Sequence, residues 1–310
     1  MSRPVPITRV WRPPFPLHIR SVLAVHRRGR GDPAFQVDTG GAVWRTCLTP
    51  DGPGTLRVAA AGTAAVAAAW GPGADWLLSQ LPELLGARDD PAGFAPAHGV
   101  LRDVAARHPG LRIGRTSRVL EALVPAVLEQ KVVGAEASRA WRRLLTRYGQ
   151  AAPGTERGGL VPAGMRVFPS PQVWVSIPSW EWHRAGVEGV RAQTIIAAAR
   201  AARRVEEVAA MESAAADGAL RAIVGIGPWT SAEVRQRASG DADAVSVGDY
   251  HLPSMVGLAL AGRVVGDAGM LELLAPYRGH RYRATRLVEL SGIAPPRRGP
   301  RLAARDYRRF

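Results

Sequence analysis

The sequence has 310 residues, enough for two or three compact domains, and its 46% apolar and 22% charged residues are typical of a globular protein. Cys47 is its one cysteine, which excludes an intrachain disulfide, a four-cysteine iron–sulfur cluster and a four-cysteine zinc site. The formal charge of +15 makes a phosphate-rich partner the first hypothesis.

The N-terminal residues 1–95 are predicted to form a small α+β domain. Residues 18–25 and 42–48 are short apolar runs rich in β-forming residues, and turns containing Gly and Pro separate them. These runs predict an antiparallel β meander. The Ala- and Leu-rich segment 64–85 predicts a helix that completes the domain.

Residues 96–292 are predicted to form an all-α bundle. The clearest periodicity lies in residues 119–128, where apolar residues recur at spacings of three and four, with Ser117 as the expected N-cap. Three more amphipathic helices are predicted, over residues 136–148, 190–209 and 213–224.

The C-terminal residues 293–310 are predicted to be a basic tail without regular structure. From residue 278 to the end the chain holds ten Arg against two acidic residues. Such a tail favours sequence-independent contact with phosphates, and the alternative is a solvated tail without a partner.

A helical hairpin is predicted around Gly225-Ile226-Gly227. Apolar helical residues precede the two glycines, and Pro228 suits the first turn of a second helix because its missing N–H costs nothing there. The free amides of that turn could bind a DNA backbone phosphate. A hairpin also needs glycine for steric reasons alone, so the motif by itself is weak.

Asp249 follows Gly227 by twenty-two residues and precedes another predicted helix. An Asp after a Gly and before an apolar helix commonly caps that helix. Catalysis and capping are compatible functions of one carboxylate, so both interpretations stay open.

Together the hairpin and Asp249 resemble the helix-hairpin-helix DNA glycosylase superfamily, and within it the bacterial 3-methyladenine DNA glycosylase II type. Residues 224–230 and 247–250 match the family's Gly-x-Gly hairpin and catalytic Asp in order and spacing. Weaker similarities lie at residues 11–15, 109–130 and 168–172, so the resemblance covers most of residues 10–292.

This resemblance implies an enzyme of base excision repair that bends duplex DNA, flips a damaged nucleotide out of the stack and hydrolyses its N-glycosidic bond. Asp249 would stabilise oxocarbenium character on the sugar and orient or deprotonate the attacking water. Bifunctional relatives carry a lysine two residues after the second glycine, where this chain has Trp229. A monofunctional hydrolase that leaves an abasic site is therefore expected, with alkylated purines as its expected substrates.

The resemblance also assigns binding residues. The base pocket would be formed by Trp229, Glu233, Tyr250 and Glu289. DNA contacts would come from Gly225, Ile226, Gly227, Thr230, Gln130, Lys131 and Arg281.

Three assigned positions depart from the family. Glu233 and Glu289 stand where the family's pocket is aromatic, and Lys131 stands at the apolar wedge that fills the gap left by the flipped base. Each Glu could accept a hydrogen bond from a base, but Glu233 could equally form a solvent-facing pair with Arg237 four residues on. Trp229 is either a stacking wall or an ordinary core aromatic.

No metal or organic cofactor is expected, although a monovalent cation at the hairpin is left open. The expected partner is double-stranded DNA with a damaged or modified base, bound by a monomer in the cytoplasm at the nucleoid. No apolar segment of the sequence predicts export or a membrane span. The alternatives are a glycosylase for another modified base, a catalytically silent module that binds distorted DNA, and an Arg-rich RNA- or nucleoid-binding protein.

Overall fold

A computed structural model describes residues 5–156 and 159–295. The N-terminal part is a five-stranded antiparallel sheet with strand order β1-β5-β4-β3-β2. Its strands are β1 (Ile7–Trp11), β2 (Phe35–Val37), β3 (Val43–Thr49), β4 (Gly52–Ala61) and β5 (Ala64–Trp70). Two helices accompany the sheet, α1 (Ile19–Leu23) and α2 (Ala74–Leu84), and together they bury one shared apolar core.

Two predictions for this part of the chain were wrong. Residues 18–25 form α1 and a 3₁₀ turn instead of a strand, because Ile19, Val22 and Leu23 bury one helical face and the His18 ring accepts a hydrogen bond from the Ser21 amide. Residues 64–70 form β5 instead of a helix. The alanines 65, 67 and 69 are fully buried at every second position, which is the period of a strand.

The rest of the chain is mainly helical. Its helices are α3 (Gly99–Arg107), α4 (Val119–Leu128), α5 (Gly134–Tyr148), α6 (Pro171–Ser176), α7 (Ser179–Ala185), α8 (Gly189–Arg200), α9 (Ala202–Glu207), α10 (Ser213–Arg221), α11 (Pro228–Ala238), α12 (Leu252–Ala261), α13 (Asp267–Leu274) and α14 (Arg281–Ser291). None of the helices in the described residues is long and apolar enough to span a membrane.

Helix α4 is central to the helical part. All ten of its residues except Glu121 are buried, and it packs against α5, α8, α9 and α11. Ser117 is not its N-cap, which corrects that prediction. The Glu206 carboxylate caps it instead, accepting hydrogen bonds from the amides of Val119 (2.9 Å) and Leu120 (3.2 Å).

A small ribbon interrupts the helical part, so residues 96–292 are not all-α. Strands β6 (Gln150–Ala151) and β7 (Arg166–Val167) pair with each other and pack on the outer face of the five-stranded sheet. The Arg166 amide donates to the Pro33 carbonyl at 2.8 Å, and the Thr46 hydroxyl donates to the Arg166 carbonyl at 2.6 Å. These bonds join the sheet to the helices. The predicted basic tail, 293–310, lies outside the described residues from position 296 onward.

Candidate active site

The predicted hairpin is formed by α10, the turn 222–227 and α11. Gly225 has φ +91°, and a Cβ there would lie 2.0 Å from the Thr194 hydroxyl, so protein packing requires this glycine. A Cβ on Gly227 would meet no atom within 4 Å, so protein packing does not require the second glycine. The first-turn amides of α11 follow it and, as in any helix, lack intrahelical acceptors. The turn thus offers an open, electropositive surface.

Gln130 connects this hairpin to the turn after α4. Its side-chain amide nitrogen donates to the Gly225 carbonyl and to the Thr230 hydroxyl, both at 2.9 Å. The next residue, Lys131, is exposed and has φ +54°, an uncommon conformation for a residue with a side chain. The bonds of Gln130 therefore fix Lys131 at a set position beside the hairpin.

Asp249 lies between the hairpin and α12, and both of its carboxylate oxygens accept hydrogen bonds. Oδ1 accepts from the amides of His251 (2.8 Å) and Leu252 (2.9 Å), which caps α12. Oδ2 accepts from the indole N–H of Trp229 at 2.9 Å. Gly248, with φ +90°, turns the chain into this position. The side chain is thus held in one orientation by groups on both sides.

Beside Asp249 lies a cavity of about 400 Å³, a size within the range of ligand pockets. Its walls come from parts of the chain far apart in sequence: residues 24–28, Glu129, α11, residues 246–255 and α14. Asp249 itself is part of the lining. The carboxylate therefore faces a space that a ligand could enter.

The wall contributed by α11 carries a partly buried ion pair. Glu233 accepts hydrogen bonds from Arg237 and from the Ser246 hydroxyl, each at 2.7 Å. Burial alone would lower the pKa of Arg237, but the adjacent Glu233 carboxylate raises it, so the guanidinium stays charged. The pair predicted at this spacing exists, yet it lines the cavity and does not face solvent.

The chain is similar to known proteins both in sequence and in structure. No family model matches the sequence. The chain is 34% identical over 182 residues to the probable bifunctional transcriptional activator/DNA repair enzyme AlkA of Mycobacterium tuberculosis, an alignment that covers 57% of this chain and 34% of that protein. The chain thus matches about a third of the length of this curated relative.

Two solved structures superpose on more than 90% of this chain. The 3-methyladenine DNA-glycosylase from Archaeoglobus fulgidus superposes with a TM-score of 0.72 at 16% identity, covering 91% of this chain and 97% of that one. The 8-oxoguanine glycosylase/lyase from Clostridium acetobutylicum has a TM-score of 0.69 at 11% identity, covering 94% of this chain and 100% of that one. The chain has the helix-hairpin-helix DNA glycosylase fold. The resemblance inferred from the sequence is confirmed at this level.

Within the glycosylase fold, the predicted pocket residues are only partly brought together. Glu233 and Glu289 line the cavity with Asp249, while Trp229 reaches it through its bond to Asp249. Tyr250 does not line the cavity. Its side chain is 84% exposed and packs edge-on against His251, which corrects its placement in the pocket.

Three side chains that were predicted to contact DNA are packed or hydrogen-bonded within the protein instead. Ile226 packs in the helical core, and Thr230 is buried with its hydroxyl bonded to Gln130, so at these positions the backbone alone can reach DNA. Arg281 is held by Asp243 through Nε (2.8 Å) and Nη2 (2.5 Å). Burial would raise the pKa of Asp243, but the Arg281 hydrogen bonds outweigh it and lower that pKa, so this guanidinium is not free for a phosphate.

Several cavity residues escaped sequence reasoning. Arg27 and Arg28 come from the N-terminal part, and Tyr282 and Arg286 come from α14. Burial raises the pKa of the Tyr282 phenol, so it keeps its proton at neutral pH. The cavity residues of α14 are spaced by three and four and so lie on one face of the helix: Tyr282, Thr285, Arg286 and Glu289. Nothing in the local sequence indicates that this face borders the cavity.

Proposed function

We propose that this protein is a monofunctional DNA glycosylase that flips a damaged base out of duplex DNA and hydrolyses its N-glycosidic bond. One observation carries the proposal: Asp249 is fixed between the hairpin and the cavity, with Oδ2 bonded to Trp229 of the hairpin's second helix. A phosphate on the hairpin would place the neighbouring nucleotide at the cavity mouth. The DNA repair enzyme AlkA and the 3-methyladenine DNA-glycosylase to which this chain is similar support the same reaction class.

The chemistry follows from the position of the carboxylate. Once a flipped base enters the cavity, the C1′ atom of its deoxyribose would lie beside Asp249. The negative charge of Asp249 stabilises the positive charge that develops on the sugar. The C1′–N bond breaks with its electron pair leaving on the base, water adds to C1′ with Asp249 as its orienting group or general base, and the proton that the water loses passes to solvent or to the departing base. Trp229 positions Oδ2, since the indole N–H can donate only along one direction. The reaction needs no cofactor; a cation at the hairpin, a monomeric state and action at the nucleoid stay predictions.

Lesion-containing duplexes test the proposal directly. The purified protein is incubated with duplexes that carry 3-methyladenine, 7-methylguanine, hypoxanthine, 8-oxoguanine or uracil, and abasic sites are then cleaved with alkali. Release of at least one base supports the proposal. Release of none contradicts it. The alkylated purines are included because the resemblance favours them.

A silent DNA-binding module is the second candidate, and one observation favours it. Both Asp249 oxygens already accept hydrogen bonds within the protein, Oδ2 from Trp229 and Oδ1 from two backbone amides, as a carboxylate with a purely structural function would. Such a protein would bind the same duplexes without releasing any base. The Asp249 substitution discussed below separates the two functions.

The monofunctional character leads to a trapping prediction. Lys131 is the only lysine in the chain, and Trp229 occupies the position of the lysine in bifunctional enzymes. A Schiff base with C1′ needs an amine. We therefore expect no borohydride-trapped protein–DNA adduct and no strand cleavage without alkali. If an adduct does form, its loss in Lys131→Gln would identify Lys131 as the amine and overturn the monofunctional assignment.

The bonds of Gln130 lead to a binding prediction. Gln130→Ala removes the two hydrogen bonds that hold the turn at Lys131 against the hairpin. The proposed DNA-binding surface is then no longer ordered before DNA binds. We expect the affinity for a duplex containing an abasic-site analogue to fall by about 10-fold, measured by fluorescence anisotropy at fixed salt. Gln150→Ala, at an exposed position in β6, is the matched control and should bind as the wild type does. Equal affinities for the two variants would contradict this function of Gln130.

A further inference from the structure

The charged lining of the cavity bears on the identity of the base. We propose that the cavity accepts a neutral base read on an edge that carries both a hydrogen-bond donor and an acceptor, as the lactam edge of an oxidised or deaminated purine does. A positively charged alkylpurine is disfavoured. This inference rests on the proposed glycosylase function and names the substrate class of that same site.

Each glutamate in the lining is already neutralised by an arginine. Glu233 pairs with Arg237, Glu289 with Arg286, and Glu129 with Arg28. A fourth guanidinium, Arg27, donates to the Gly29 carbonyl and has no carboxylate partner within the described part of the chain. Four arginines thus balance the three glutamates and Asp249. A cationic base entering this cavity would gain no net Coulombic attraction.

The aromatic surface that could attract a cation is also small. Among the described residues lining the cavity, Tyr282 and His251 are the only aromatic rings. Trp229 is engaged with Asp249, and Tyr250 points away into solvent. Stacking of an electron-poor ring against aromatic faces therefore contributes little here.

The Glu233 network can instead bind a polar edge. The side chain of Glu233 is 13% exposed, and each of its oxygens holds one hydrogen bond although a carboxylate oxygen can accept two. The Ser246 hydroxyl that donates to it is itself fixed by the Gln236 side-chain amide at 3.0 Å. Glu233 is thus a rigid acceptor with spare capacity.

Donors lie beside this acceptor. Arg237 uses Nη1 for Glu233 and Nε for the Val25 carbonyl at 3.0 Å, which leaves Nη2 without a partner in the described structure. The protonated Tyr282 phenol belongs to the same lining. A lactam edge would donate its N–H to Glu233 and accept from Arg237 or Tyr282. A base without such an edge would displace water from these groups without replacing the hydrogen bonds of that water. The desolvation cost then disfavours binding of that base.

The first arm of the test compares bases in wild-type protein. Single-turnover release is measured from matched duplexes with hypoxanthine, 8-oxoguanine, 7-methylguanine, 3-methyladenine or 1,N6-ethenoadenine, and each rate is divided by the spontaneous rate of loss. We expect the acceleration for at least one of the two neutral lactam purines, hypoxanthine and 8-oxoguanine, to exceed that for every other base by about 10-fold or more. 7-Methylguanine carries the same lactam edge together with a positive charge, so its rate isolates the effect of charge.

The second arm tests the assigned residue. Glu233→Gln keeps the size of the side chain and one acceptor oxygen but removes the charge, and should slow release of the lactam base by about 10- to 100-fold. Glu83→Gln is the matched control, because Glu83 also pairs with an arginine, Arg115, at 2.7 Å but does not line the cavity; its rate should stay within about 3-fold. Both variants should bind an abasic-analogue duplex as tightly as the wild type does, which shows that they are folded.

The outcomes separate the two proposals. If no base is released, the glycosylase proposal fails. If the cationic purines are accelerated most, the enzyme is established and the substrate inference is overturned. If a lactam base is preferred but Glu233→Gln leaves its rate unchanged while the variant is folded, the recognition assigned to Glu233 is wrong.

Discussion

Replacing Asp249 by asparagine should lower the single-turnover rate of base release by at least about 10³-fold. The asparagine oxygen can still cap α12 through His251 and Leu252, so the fold is expected to persist. The negative charge beside the sugar is lost, and the amide nitrogen that replaces Oδ2 cannot accept the Trp229 indole N–H. The rate is measured on the duplex that the wild type cleaves best.

A neighbouring carboxylate provides the control for this variant. Asp267 accepts a hydrogen bond from the Gly248 amide at 3.1 Å but does not line the cavity. Asp267→Asn therefore perturbs the same loop without touching the proposed reaction, and its rate should stay within about 3-fold of the wild type. DNA affinity and its salt dependence should be unchanged in Asp249→Asn. A folded Asp249→Asn variant that still releases base at the wild-type rate would show that another group performs the reaction.

The core of the site was predictable because its parts are close in sequence. Gly225, Gly227 and Asp249 lie within twenty-five residues, and the turn, the cap and the helix starts all have local causes. Gln130 was assigned through the resemblance alone, since its contact with Gly225 spans ninety-five positions. Local chemistry therefore located the hairpin and the carboxylate, while their long-range supports needed the folded chain.

The walls of the cavity show why the rest could not be predicted. The bond from Arg237 to the Val25 carbonyl joins residues 212 positions apart, and nothing near residue 25 indicates that it will border the site. Glu233 had two competing interpretations, a pair with Arg237 and a pocket residue. The pair with Arg237 forms but borders the cavity instead of solvent, because residues 24–28 and α14 lie over that face of the helix, and the recognition of a base by Glu233 stays a prediction.

Local pattern also misassigned two N-terminal elements. The Ala-rich segment 64–70 has high helix propensity, but burial of every second alanine against β1 and β4 favours the strand β5. In residues 18–25, the β-type residues occur at a spacing that also fits one face of a short helix. In both cases tertiary packing outweighed the intrinsic preference of the backbone.

A buried ion pair between Asp89 and Arg283 joins the N-terminal part of the chain to the helical part and should contribute strongly to stability. Asp89, in the segment after α2, accepts hydrogen bonds from Arg283 of α14 through both terminal nitrogens (3.1 and 2.5 Å) and from the Ile113 amide at 3.1 Å. The two side chains are 1% and 4% exposed. Asp89→Ala leaves the Arg283 charge buried without a counter-ion, so the free energy of unfolding should fall by about 3–5 kcal/mol.

Two further variants distinguish loss of the pair from loss of a surface charge. Arg203 and Glu207 form an exposed pair, 96% and 58% exposed, and Glu207→Ala should change the free energy of unfolding by less than about 1 kcal/mol. The double variant Asp89→Leu/Arg283→Met leaves neither charge of the pair behind, so it should be more stable than Asp89→Ala. Urea denaturation measures the free energy of unfolding of each variant. If the double variant is no more stable than Asp89→Ala, the cost arises from the lost hydrogen bond to Ile113 and the altered packing, because the orphaned guanidinium would then contribute nothing measurable.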